Sequence, residues 1–361
     1  MSSSARPKQH AAPSEPRPSA SVILVSATNE ILLLHRVQTS TSFPSAHVFP
    51  GGNISPAQDG DVPAASDALR HEDGLAYRLG AIRECFEESG ILLAKKQGNE
   101  AQSSETVSSL LELPEEERME RRKETHSNKL NFPSWLAEKG AFADTDGLIS
   151  FTRWVTPANL ARRFTTQMYI YFLPLASSTS FPASFGSSTS TSASTPPNTT
   201  LIPTPDNGIE HTAASFLPAS EWLSLADSGE IILFPPQYYL LSLIAPFLSS
   251  KSPVSPEVRK QQRDAVVAMV SKGDPPLGDR CISPISIGLL DQKSVLGLEK
   301  PGREVEQKDD ASDNSHRKRV GVTEHVVLVE FDPKTKSPRK VEIKDRKEIL
   351  GLLRKRKEEK L

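Results

Sequence analysis

The stretch from Leu75 to Gly90 constrains this chain more than any other part of it. Leu75, Leu79, Ile82 and Phe86 recur at the three-to-four-residue spacing of an α-helix. At about 100° per residue they form one apolar stripe, and Glu84, Glu87 and Glu88 project together from the opposite side. Gly90 follows directly, where a left-handed residue can end a helix. A helix over 75–89 is therefore expected, packed by its stripe and presenting three carboxylates. Like charges at i, i+3 and i+4 repel by roughly 0.2–0.5 kcal/mol per pair. A hard divalent cation takes oxygen ligands and converts that repulsion into a binding site. Glutamate-rich helix faces are most often simply solvated. Two features favour a site here: the closing Gly90, and the upstream turn Phe49-Pro50-Gly51-Gly52, where backbone can approach a ligand closely.

Arg83-Glu84-Cys85-Phe86-Glu87-Glu88-Ser89-Gly90-Ile91 resembles the second half of the Nudix box, R-E-U-x-E-E-x-G-U, with Cys85 at the apolar position. Gly52 resembles the glycine that opens the box. Arg153-Trp154-Val155-Thr156-Pro157, Arg162-Arg163-Phe164 and Phe234-Pro235-Pro236-Gln237-Tyr238-Tyr239 are similar to a coenzyme A diphosphatase branch of that family. The resemblance covers roughly residues 20–248. It departs from the usual box in one respect: 31 positions separate Gly52 from Arg83, an enlargement that this branch shares. The box glutamate six places after the glycine is replaced by Gln58, and the position eight before Arg83 is Leu75. Asp59, Glu72 and Asp73 are only neighbours, so the partner of Arg83 stays open.

The resemblance implies an α/β (α+β) fold, a mixed β-sheet sandwiched between helices, with insertions and a C-terminal extension. It implies a Mg²⁺- or Mn²⁺-dependent pyrophosphohydrolase. Glu84 and Glu88 are the expected principal metal ligands, with Glu87 assisting, the Gly51 carbonyl contributing, and Arg83 orienting the carboxylates. Gly52 and Gly90 are structural. Glu210 is the candidate general base, weighed equally against an ordinary strand-edge glutamate. Arg36, Arg162 and Arg163 are candidate phosphate-gripping residues, against a reading as surface charge. Trp154 and Trp222 are read as core. Coenzyme A or an acyl-CoA is the substrate that the branch implies, with 3′,5′-ADP and a 4′-phosphopantetheine as products. The rivals are hydrolysis of ADP-ribose, a dinucleotide or capped RNA, and a catalytically silent binding module. A silent module need not keep three carboxylates on one face.

The rest of the chain reads as follows. Residues 1–20 are expected to be a disordered tail, 21–248 the catalytic domain, and 249–361 an extension, partly disordered. Strands are expected at Ser21–Val25, Glu30–Leu34, Phe151–Val155, Gln167–Leu175 and Glu210–Leu217. Residues 53–72 read as loop, and Glu115–Glu124 as a solvated helical face. Ala176–Pro205 is a Ser/Thr/Pro tract with little to bury, expected to be a floppy insertion. Helices are expected over Pro218–Ser228 and Gln237–Leu248. A late hairpin, Val326–Phe331 with Lys340–Ile343, precedes a basic helix from Lys347.

Composition narrows the partners. A net charge of −2 gives no global attraction to nucleic acid, and Asp345, Glu348, Glu358 and Glu359 dilute the basic run Lys344–Lys360. No apolar run approaches the roughly 20 residues of a membrane span. Two cysteines, Cys85 and Cys281, and no signal-like N-terminus point to an intracellular, reducing compartment. The peroxisome is suggested by the branch and by Glu359-Lys360-Leu361, which shares two residues with the S-K-L address, with the cytoplasm or mitochondrion as the alternatives.

Overall fold

A computed structural model of the chain describes residues 13–39, 44–97, 110–175, 203–206, 210–248, 254–305 and 319–359. Its elements in chain order begin with β1 (Arg17–Val25), β2 (Ile31–Arg36), β3 (His47–Val48), β4 (Gly51–Asn53), α1 (Pro56–Asp59), α2 (Leu75–Ser89) and β5 (Ala94–Lys96). They continue with α3 (Glu115–His126), α4 (Phe132–Glu138), β6 (Ala141–Ala143), β7 (Ile149–Val155), β8 (Phe164–Phe172), β9 (His211–Leu217), α5 (Ala219–Asp227) and α6 (Pro235–Leu248). The last are α7 (Pro256–Ser271), β10 (Cys281–Ile282), β11 (Ile285–Leu290), β12 (Lys293–Gly297), β13 (His325–Phe331), β14 (Pro338–Asp345) and α8 (Arg346–Glu358).

The main sheet has the strand order β10-β7-β8-β1-β2-β3, with β4 also on β1 and β9 also on β2. It is mixed: β1 runs parallel to β8 over its whole length, and antiparallel to β2 and β4. Strand side chains alternate between faces, and β1 shows the consequence. Ala20, Val22 and Leu24 pack with Ile82, Cys85 and Phe86 of α2. Ile23 and Val25 pack with Trp222, Leu241 and Ile244 of α5 and α6, and with Val266 of α7. Each such burial contributes roughly 1.5–3 kcal/mol. The expected sheet sandwiched between helices is therefore present. Trp154 and Trp222 are buried in the core, as read from the sequence.

Several expectations need correction. Order reaches back to Arg17, because the start of β1 pairs with Phe164 and Thr165 of β8; residues 1–12 of the expected tail lie outside the described residues. The stretch 53–72 contains α1 and a short 3-10 helix, Ala68–His71. Leu75 is exposed, while Tyr77, Ala81 and Cys85 are buried beside Ile82 and Phe86. The cause is that α2 has β1, β4, α1 and α3 around it, so more than one face is covered. For the same reason Arg118 and Arg122 of α3 are buried rather than solvated.

The region after 248 is not an appendage. β10 joins the main sheet in parallel with β7. From α7, Arg263 donates to Ser26 O and Leu173 O, each at 2.7 Å. Strands β11 to β14 form a second, antiparallel sheet that includes the expected hairpin. Its Val327, Val329 and Val341 enter the core beside α6, and Val326 and Leu328 face Ile349 of α8. Most of the Ser/Thr tract, 176–202, lies outside the described residues, as do Lys360 and Leu361. The end of the tract is held: the Thr204 N–H donates to Ser89 O at 3.0 Å. Among the described residues no helix is long and apolar enough to cross a membrane.

Candidate active site

Helix α2 ends as its sequence requires. Gly90 takes φ of 74°, and its N–H donates to Phe86 O. Arg122 of α3 then covers the open carbonyls of the last turn, donating from Nε to Glu87 O at 2.6 Å and from Nη2 to Glu88 O at 2.5 Å. A cation at a helix C-terminus is favourable, and here it also fixes the backbone that carries two of the glutamates.

The other side of the helix meets the Gly51-Gly52 turn. The Gly51 N–H donates to Glu88 Oε2 at 2.7 Å. A Cβ on Gly52 would stand 2.5 Å from the Glu84 carboxylate, so only glycine lets the strand lie against it. The turn thus lies close against the helix, with Gly51 bonded to Glu88 through its amide.

Arg83 settles the open question of the displaced box glutamate. Its Nε and Nη2 donate to Oδ1 and Oδ2 of Asp59, both at 2.8 Å. Nη1 donates to Glu84 Oε1 at 2.9 Å and Glu87 Oε1 at 2.8 Å, and Nη2 also to Asn53 O at 2.9 Å. All five N–H groups of the guanidinium are used. Burial works against the charge, but Asp59, Glu84 and Glu87 outweigh it and raise the Arg83 pKa. Asp59 lies one position beyond the usual glutamate, on a shorter side chain, and α1 carries it to the arginine. The other two candidates are committed elsewhere: Asp73 pairs with Arg78 at 2.6 Å and Glu72 with Arg319 at 3.3 Å.

Glu84, Glu87 and Glu88 line one cleft of about 230 Å³, shared with His126, Asp206 and Glu210. Burial, and then the neighbouring Glu87 against the pull of Arg83, leaves Glu84 raised to about 7. Burial first, then Glu84, raises Glu88 well above the ordinary carboxylate range. Glu87 is more fully paired, since His126 Nδ1 stands 3.4 Å from its Oε2. Two carboxylates sharing a poorly solvated cleft fit a divalent cation: a bound ion would supply positive charge beyond the single Arg83 contact of Glu84.

Glu210 arrives from a distant part of the chain. Asp206 accepts the backbone N–H groups of Glu210 at 2.9 Å and His211 at 3.0 Å. That clamp turns the chain so that Glu88, Glu210 and His211 each offer a ligand atom within 4.8 Å of the others. Arg36 Nη2 lies 3.4 Å from Glu210 Oε2. Arg162 and Arg163 do not line the cleft. Arg163 is buried against Glu304 at 2.5 Å, Ser14 O at 2.8 Å and Thr156 O at 3.0 Å, and Arg162 is exposed. Asp59, Asp206 and His211 were missed by sequence reasoning. An acidic residue one place off the box position was a signal for Asp59; for the other two there was none.

The model of the NUDT19 Nudix domain matches residues 61–200. An acyl-coenzyme A diphosphatase NUDT19 of Gallus gallus is 29% identical over 260 residues, covering 61% of this chain and 62% of that protein. A Caenorhabditis elegans protein named for the Nudix hydrolases is 29% identical over 155 residues, 43% of each chain. Residues 61–200 of this chain therefore resemble a Nudix domain. The likeness is to the Nudix domain of NUDT19, and the match spans less than two thirds of the length of either relative. A crystal structure of a NUDIX hydrolase from Alicyclobacillus acidocaldarius is 20% identical, with a TM-score of 0.46 over 65% of this chain and 94% of that one.

Proposed function

We propose that this Nudix domain hydrolyses the diphosphate of a nucleotide-linked small molecule, coenzyme A or an acyl-CoA, with Mg²⁺ or Mn²⁺. The observation that carries the reading is the convergence of Glu84, Glu88 and Glu210 on one cleft, braced by the Arg83–Asp59 pair. Glu84 and Glu88 hold the metal, Glu87 assists, and the Gly51 carbonyl contributes. Bound there, the ion supplies charge for the diphosphate oxygens and a more acidic water.

The chain's own groups do the rest. Arg83 keeps Glu84 and Glu87 aligned. Glu210 takes the proton of the attacking water as its oxygen bonds to phosphorus and the bridging P–O bond breaks. Arg36 restrains Glu210 and offers positive charge to a phosphate beside it. The leaving group departs as a phosphate, giving 3′,5′-ADP and a 4′-phosphopantetheine. The substrate rests on the similarity to acyl-coenzyme A diphosphatases, and an intracellular, peroxisomal location rests on the branch resemblance alone. Arg162 and Arg163 are given no part in binding, because neither reaches the cleft.

A substrate panel with each metal, read by mass, tests the reading. Coenzyme A or an acyl-CoA is expected to be cleaved faster than dephospho-coenzyme A or ADP-ribose. Faster cleavage of either of the latter overturns the substrate, and absence of hydrolysis across the panel overturns the activity.

A further inference from the structure

His211 has no assigned part in the chemistry above. It is the first residue of β9, with 0% exposure; Nδ1 has only a 3.4 Å contact with Asp206, and Nε2 has no hydrogen-bond partner. An imidazole sealed from water with Nε2 unsatisfied is costly, on the order of 1–3 kcal/mol for the orphaned group. A native interior keeps such a group where something else binds it.

Its surroundings say what that is. Nδ1 stands 3.4 Å from Asp206 Oδ2, a carboxylate already anchored by the N–H groups of Glu210 and His211. Nε2 stands 3.7 Å from Glu88 Oε1. Glu88, Glu210 and His211 thus present two carboxylate oxygens and one nitrogen around a common point. Two donors about 2.1 Å from one metal ion lie roughly 3–3.5 Å apart; the Nε2–Oε1 pair at 3.7 Å is within a few tenths of an ångström of that, and the whole set lies within 4.8 Å. A ligating histidine generally turns its other nitrogen to a carboxylate, which fixes the ring and its tautomer. Asp206 stands where that partner belongs.

We propose that Glu88, Glu210 and His211 form a mixed oxygen–nitrogen site for a first-row transition ion, with Asp206 orienting the imidazole. This rests on the metal-dependent reading of the cleft and deepens it. The all-oxygen pair Glu84 and Glu88 suits Mg²⁺, whereas a nitrogen donor shifts preference toward transition metals. Glu88 would serve both positions, and Glu210 would be shared between binding the ion and receiving a proton.

The test uses the full chain loaded with Mn²⁺ and reads nitrogen coupling to the bound ion by electron spin-echo envelope modulation. Wild type is expected to show the coupling. His126→Gln, which removes the histidine that lines the cleft, should keep it, and His211→Gln should lose it. Asp206→Asn should weaken Mn²⁺ binding about 10-fold with a smaller change for Mg²⁺, measured by calorimetry. Bound Mn²⁺ without nitrogen coupling in wild type, or coupling that disappears in His126→Gln, overturns the proposal even if His211→Gln fails to fold. Diphosphate hydrolysis with Mg²⁺ is scored separately. Hydrolysis without nitrogen coupling removes only the histidine ligand; coupling without hydrolysis keeps the site and removes the proposed activity.

Discussion

Arg83 and Arg263 are both buried, on helices packed against opposite faces of the main sheet, and their surroundings differ in kind. Arg83 meets the carboxylates of Asp59, Glu84 and Glu87. Arg263 meets neutral acceptors: Asn29 Oδ1 at 2.8 Å and the carbonyls of Leu173 and Ser26. Burial and the nearby Arg259 push Arg263 down to about 10, while the Arg83 pKa is raised. The difference separates two uses of a buried charge. Around Arg263 the guanidinium satisfies backbone and joins α7 to the ends of β1 and β8. Around Arg83 it organises negative charge and leaves Glu84 and Glu88 facing a cleft. One face of the sheet carries the acidic cleft, and the other carries a neutral anchor between elements.

The comparison is broken most directly at Asp59. Asp59→Ala leaves Arg83 without its bidentate partner in a buried place, and the expected cost is about 3–5 kcal/mol, read by denaturant unfolding. Activity should fall with it, because Glu84 and Glu87 lose their alignment. A loss under about 1 kcal/mol would mean that Arg83 is adequately paired without Asp59.

Glu84→Gln and Glu88→Gln should act on chemistry with the fold retained. The expected fall in kcat is about 100-fold or more for each, since a lost metal ligand removes charge stabilisation in the transition state. Unchanged circular dichroism with activity within tenfold of wild type in both variants would sink the metal assignment.

Arg263→Gln is the converse case. Leaving carbonyls of Ser26 and Leu173 without a donor should cost about 1–3 kcal/mol, while kcat of the remaining folded protein stays unchanged. A drop in kcat at a temperature where the variant is fully folded would show that the two faces are coupled.

The smallest effect is expected from the Ser/Thr tract. Replacing residues 178–202 with a short Gly/Ser linker, and keeping Pro203–Asp206, should shift Tm and turnover very little. A doubling of loop length costs only about 0.6 kcal/mol. A large change in either would assign the tract a role in the cleft, which its neighbour Asp206 lines.

What was legible in the sequence was local. The 3.6-residue period, the glutamate spacing and Gly90 determined α2, its cap and the common direction of Glu84 and Glu88, because these depend on residues within a few turns of one another. The Gly51-Gly52 turn could be read for the same reason. The choice of Asp59 over Glu72 and Asp73 could not, since α1, β8 and Arg319 decide which carboxylate meets which arginine. Nor could the joining of Glu210 and His211 to Glu88, which lie more than 120 positions away. The region after 248 looked weak because β10 and α7 have short or interrupted apolar patterns. Their stability comes from pairing with β7 and from Arg263 reaching β1 and β8. By itself the sequence determined a helix that must carry charge on one side. Only the tertiary structure decided which distant groups answer that charge, because ion pairs and sheet edges are chosen by proximity in space, and no local spacing records it.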